Sequence, residues 1–416
     1  MMMNKMLLEK KYNLNYGKDT FGQYITLWDI QVNDNKNQLA VSTSKGEFGD
    51  DSYNIFVYDI YTAKLIYKYS TNYLDCFSKI KFSPDGKYLF IASKPSYENR
   101  YNFKDRHLFS FETDSWEKRY LRYPDPILIT KGDFEEELSF IGLDSKNNNL
   151  VFRLISEAKR EQGQYGTMYN YSLIFISHKE MKERYDDPVI IEDEEIDLGT
   201  LVNKQDLEQM ASFKEIQLIK SDYFKDYNKQ FNNIIINCTT SRNEYEHTLI
   251  FFNTDAMENF QTIKLEKSLL NQYANYWFDY LFEDSLLAVL SCGINNYYIY
   301  IYKDSKFLGE INIQSLKNVT TGKPIGVKFI DSQNIFIFYE RGYVDLANIK
   351  NYTLVNIYRE EKFKTYNRVS RDYINGGLST HIENYKMLAG NYSQKHDLVF
   401  TGVNGNVQGF HINRNK

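Results

Sequence analysis

Apolar and aromatic residues recur along this chain in short runs of three to seven, each bounded by Asn, Asp, Gly, Ser or Lys. Runs of that length with turn-forming residues between them read as β-strands. Taken in fours they form a repeating unit. The first is ITLWDI (Ile25–Ile30), QLAVSTS (Gln38–Ser44), NIFVYDI (Asn54–Ile60) and AKLIYKY (Ala63–Tyr69). The second is FSKIKFSPDGKYLFIAS (Phe77–Ser93), which holds two strands, then RHLFSFE (Arg106–Glu112) and EKRYLRY (Glu117–Tyr123). A third takes ELSFIG (Glu137–Gly142), NLVFRLIS (Asn149–Ser156), YSLIFIS (Tyr171–Ser177) and PVIIEDE (Pro188–Glu194). The fourth runs from Glu215 to Glu266, the fifth from Tyr276 to Ile313 and the sixth from Pro324 to Arg359. Helical periodicity is confined to NKQDLEQMASF (Asn203–Phe213), where Leu207 and Met210 are spaced i,i+3 behind a possible Asn cap.

The last unit has only three strands, NYKMLAG (Asn384–Gly390), DLVFTGV (Asp397–Val403) and VQGFHI (Val407–Ile412), while MLLEKKYNL (Met6–Leu14) precedes the first unit as a spare. A deficit at one end matched by a surplus at the other is what ring closure requires, because pairing the two ends removes an exposed sheet edge. The fold expected is therefore all-β: a β-propeller of seven blades, each of four antiparallel strands, closed by pairing of the N- and C-terminal strands. Six or eight blades are the neighbouring solutions. One domain is expected over residues 6–413, with loop insertions near 94–105, 157–170 and 179–214.

Three features resemble the WD-repeat (WD40-like) β-propeller family: the FSPDGKYL turn (Phe82–Leu89), WDI (Trp28–Ile30), and YDI (Tyr58–Ile60) ending a third strand. The resemblance implies a propeller and, commonly, protein binding. Two departures accompany it. WDI falls on a first strand, where the family places it on a third, and no blade carries a Gly-His ahead of the dyad. The repeat is also longer than the 40 to 45 residues usual for the family.

In a four-stranded up-and-down blade, connections between strands one and two, or three and four, share one end of the sheet. Connections between two and three, or into the next blade, share the other. The first kind is expected to be short here, as at Ser83–Gly86, Glu283–Ser285 and Asp331–Gln333, with Lys179–Asp187 the exception. The second kind is long: Lys45–Tyr53, Lys94–Asp105 and Glu157–Asn170 are two-to-three connections, and Glu195–Lys214 is read as leading into the fourth blade. Long loops on one end suggest a binding face. Tyr and Arg anchor protein interfaces because each offers a large contact with a polar tip. The candidate protein-binding residues are Phe48, Tyr53, Tyr97, Arg100, Tyr101, Phe103, Arg160 and Tyr165.

Composition agrees with strands: 36 Tyr and 28 Phe among 416 residues suit pleated surfaces, and only 6 Pro interrupt them. A net charge of -5 argues against a general nucleic-acid or acidic-membrane binder, which needs a positive field. No signal-like or membrane-spanning run stands out, so a cytoplasmic protein is expected. Cys76, Cys238 and Cys292 are too few and too scattered for a disulfide scaffold or a Cys-based zinc site.

Phosphate-loop, dinucleotide, zinc-protease and nucleophile-elbow motifs do not occur in the sequence. His107, His178, His247, His381, His396 and His411 are dispersed, and the acidic runs Glu135–Glu137 and Glu192–Glu195 lack calcium-loop spacing. No cofactor, metal or catalytic residue is expected. The reading is a non-catalytic scaffold or adaptor binding a protein or peptide through its loop-rich face. A propeller enzyme or small-ligand protein with a site at the channel mouth is the alternative, and a structural subunit of a larger assembly is another.

Overall fold

The computed structural model describes residues 7–16, 26–45, 52–71, 77–93, 108–121, 137–143, 149–157, 169–179, 213–220, 223–230, 233–239, 247–253, 258–265, 275–292, 297–313, 324–339, 344–358, 390–403 and 406–413. These form seven four-stranded antiparallel sheets, the blades of a β-propeller. Sheet 1 holds β2 (Thr26–Asn33), β3 (Gln38–Lys45), β4 (Ser52–Asp59) and β5 (Leu65–Thr71). Sheet 2 holds β6 (Phe77–Phe82), β7 (Tyr88–Ser93), β8 (Leu108–Glu112) and β9 (Lys118–Leu121). Sheet 3 holds β10 (Glu137–Leu143), β11 (Asn149–Glu157), β12 (Tyr169–Ser177) and β13 (Phe213–Lys220).

Sheet 4 comprises β14 (Tyr223–Gln230), β15 (Asn233–Thr239), β16 (His247–Asn253) and β17 (Glu258–Leu265). Sheet 5 comprises β18 (Asn275–Leu281), β19 (Leu286–Cys292), β20 (Tyr297–Lys303) and β21 (Lys306–Asn312). Sheet 6 comprises β22 (Pro324–Phe329), β23 (Asn334–Tyr339), β24 (Val344–Asn348) and β25 (Thr353–Tyr358). Sheet 7 takes β26 (Gly390–Ser393), β27 (Leu398–Val403) and β28 (Asn406–Asn413), and its fourth strand is β1 (Leu7–Asn15).

The pairing of β1 with β28 runs from Leu7 opposite Asn413 to Asn15 opposite Asn406, with a bulge between Lys10 and Tyr12. The chain's two ends thus share one sheet. Tyr16, just past β1, lays its ring against Phe56 of sheet 1, centroids 4.9 Å apart, and edge-on to Tyr58 at 6.5 Å. Burial, partly offset by a hydrogen bond with Tyr16, raises the Tyr58 pKa above the ordinary phenol value.

Four assignments from the sequence are corrected. The fourth strand of sheet 3 is β13, which pairs with β12 from Phe213 opposite Ile176 to Lys220 opposite Asn170. PVIIEDE, expected there, lies outside the described residues. Phe213 opens a strand rather than ending a helix, and residues 203–212 of the expected helix lie outside the described residues. Sheet 4 begins with β14, a stretch not read as a strand at all. The first strand of sheet 7 is Gly390–Ser393, later than the expected 384–390.

Two compact units divide the chain, one of residues 1–73 and 273–416, the other of residues 74–272. In the first, apolar clusters lie between successive sheets. Ile299, Ile301 and Ile311 of sheet 5 pack with Ile335 and Ile337 of sheet 6. Phe336 and Phe338 meet Tyr392, Val399 and Phe410 of sheet 7. Leu398, Phe400 and Val407 meet Leu27, Ile30 and Leu39 of sheet 1. Strands covered on both faces need apolar residues at consecutive positions rather than alternate ones. Accordingly Ile335–Tyr339 of β23 are all buried, whereas all but Gly309 and Ile311 of the outer strand β21 are exposed. In the second unit, Phe90, Phe109 and Phe111 of sheet 2 are fully buried.

Candidate functional site

In sheets 1, 2, 5, 6 and 7 the two ends differ in construction. At one end, strand one turns directly into strand two, and the turn is locked to the end of strand three. The residue after strand three donates its backbone N–H to a carbonyl in the one-to-two turn: Ile60 to Asn37 (2.9 Å), Thr113 to Lys87 (2.8 Å), Asp304 to Ser285 (3.1 Å), and Ile349 to Gln333 (2.8 Å). In sheet 7 the donor is Ile412, one residue before the end of β28, which bonds the Asp397 carbonyl (2.8 Å); this identifies β28 as a third strand and leaves the fourth position to β1.

Tight turns at this end, one-to-two and three-to-four alike, need left-handed backbone, and among the described residues every positive-φ residue lies in one of them: Asn37, Ala63, Gly86, Trp116, Ser285, Asp304, Ser305, Tyr352 and Asp397. Side-chain acceptors fix them. Asp59 Oδ1 accepts from the N–H groups of Tyr61 (3.1 Å) and Thr62 (2.8 Å) and from the Thr62 hydroxyl (2.8 Å). Those three bonds outweigh the effect of burial and hold the Asp59 carboxyl below its ordinary pKa. Asn348 plays the same part for Lys350 and Asn351, and Asp331 for Gln333 and Asn334. In the SPDG turn, Gly86 has φ 73° and its N–H meets the Ser83 carbonyl.

The opposite end carries the elaborated connections. Lys45 to Ser52, Ser93 to Leu108 and Glu157 to Tyr169 join strands two and three of sheets 1, 2 and 3. The longest connection within a sheet, Ser177 to Phe213, joins strands three and four of sheet 3 and so belongs to the tight-turn end. This corrects the expectation that residues 195–214 lead into the fourth blade. The cause is the shifted identity of β13, which moves the whole insertion inside sheet 3.

Of the residues singled out in the sequence, Tyr53 is 4 % exposed on β4, opposite Ser44 and Thr71, where it is a packing residue and presents almost no surface. Phe48, Tyr97, Arg100, Tyr101, Phe103, Arg160 and Tyr165 lie outside the described residues, as does Glu192–Glu195.

Two histidines stand at contacts between neighbouring sheets. His178 follows β12 of sheet 3 and sets its ring edge-on against Tyr88 (4.7 Å) and Phe90 (4.8 Å) of sheet 2. Burial, then the nearby Arg119 charge, bring its pKa down to about 4 against a smaller pull from Asp85. His396 sits in the one-to-two turn of sheet 7, against turns of sheet 1. Its Nδ1 is 2.8 Å from the Tyr61 hydroxyl, and its Nε2 is 4.0 Å from Asp34 Oδ1. The Ser393 hydroxyl donates to that same Asp34 oxygen, and Lys395 Nζ donates to the Asp34 carbonyl (2.7 Å) and to Asn37 Oδ1 (3.2 Å). Sequence spacing could not reveal this cluster, since its members come from positions 34–61 and 393–396.

A second inter-sheet contact is ionic. Asp279 of β18, buried, accepts from Lys328 Nζ (2.9 Å) and from the Phe329 N–H (2.7 Å) of β22. Both partners belong to the fold, so the pair reads as a clamp between sheets 5 and 6. Among the described residues no group of three or more His, Cys, Asp or Glu could hold a metal ion. No helix among them is long and apolar enough to cross a membrane.

Exposed apolar side chains concentrate on two outer strands. Leu65 and Ile66 of β5, and Phe307 and Leu308 of β21, are each more than 40 % exposed. They are equivalent positions. In both strands a bulge inserts one extra residue, Ile66 between the partners of Val57 and Tyr58, Leu308 between those of Ile301 and Tyr302.

No protein-family model matches the chain, and no curated protein matches it. Solved structures do. A chain from a crystal structure of a mitotic checkpoint complex aligns with a TM-score of 0.51 at 9 % identity, over 99 % of this chain and 94 % of that one. Oligogalacturonate lyase in complex with manganese aligns with a TM-score of 0.53 at 10 % identity, over 99 % of each chain. At such identities the likeness is one of fold, the β-propeller.

Proposed function

We propose that this protein is a non-catalytic scaffold or adaptor, cytoplasmic, that binds a protein or peptide through its long strand-two-to-three connections. The observation that carries the reading is the contrast between the connections of sheets 1 and 2. Their one-to-two turns close over a few residues and are pinned by backbone bonds, while their two-to-three connections Lys45–Ser52 and Ser93–Leu108 are long, as is Glu157–Tyr169 in sheet 3. Rigid strands ending in long connections that carry Tyr and Arg, as Ser93–Leu108 and Glu157–Tyr169 do, suit recognition, because the scaffold fixes where each loop begins and ends. Binding of this kind needs positioned contact area and no covalent step.

The test compares capture by the intact chain with capture by a Tyr97→Ala, Arg100→Ala, Tyr101→Ala variant of matched melting temperature. A partner retained by the intact chain and lost by the variant, with affinity reduced by about tenfold or more, is the expected result. Equal retention would remove the Ser93–Leu108 connection from the binding surface.

A further inference from the structure

We draw no further inference here: the strongest candidate, the exposed apolar pair Leu65–Ile66 and its equivalent Phe307–Leu308 on the bulged outer strands β5 and β21, has charges of both signs beside it, and nothing in the structure shows what covers it.

Discussion

The carboxylate of Asp279 joins two sheets by accepting both a lysine ammonium and a backbone N–H of β22, and it does so from a buried position. Asp279→Ala leaves the Phe329 N–H without its acceptor and Lys328 without its counter-charge. It should lower stability by about 3 kcal/mol, read as a shift in denaturant midpoint. Asp279→Asn retains an acceptor for Phe329 and should cost less. Equal losses would place the energy in the charge pair alone. Gly309 offers a second test at this scale. A Cβ there would lie 2.5 to 2.7 Å from the ring tip and hydroxyl of Tyr352, which reaches over β21 from sheet 6. Because the exposed Tyr352 tip can swing aside, Gly309→Ala should destabilise by less than about 1 kcal/mol. In a Tyr352→Ala background the same change should be close to neutral, a coupling that a double-mutant cycle measures directly. His178 adds a pH dependence. Its pKa of about 4 means that its burial against Tyr88 and Phe90 stabilises fully above about pH 6.5 and is lost as pH falls toward 4. His178→Phe should flatten the loss of melting temperature across that range, and an unchanged slope would show that the imidazole is not the group responsible.

At the scale of strands, what could be read from the sequence depended on burial. Middle strands such as NIFIFY and YYIYIYK are covered on both faces, so their apolar residues run consecutively and announce them. Turns announced themselves too. Gly86 and the acceptors Asp59, Asp331 and Asn348 stand where left-handed or tight backbone requires them. The failures were strands without that signature. YFKDYNKQ is β14, the first strand of sheet 4, yet Lys225, Asp226 and Lys229 break any apolar run, and only its backbone ladder to β15 defines it. Missing it passed β13 to the wrong sheet and promoted the β-branched PVII segment in its place. The proposed binding surface was legible only as a set of long connections. Tyr53 shows why residue type was a poor guide there, because a tyrosine beside a loop can be the first packed residue of the strand that follows. The His396 cluster had no local signal, since inter-sheet contacts unite residues more than 330 positions apart.

For the molecule as a whole, the decisive feature is that residues 7–15 complete a sheet begun by residues 390–413. Without β1, the third strand β28 becomes an unpaired edge, and Tyr16 no longer bridges to Phe56 and Tyr58 of sheet 1. An open apolar edge is also an invitation to pair with another chain. The most direct measurement is thermal unfolding, with light scattering, of the chain lacking residues 1–15 beside the intact chain. Closure through β1 predicts a melting temperature lowered by several degrees and concentration-dependent association of the truncated chain. A melting temperature unchanged by the deletion, in a chain that remains monomeric, would contradict it.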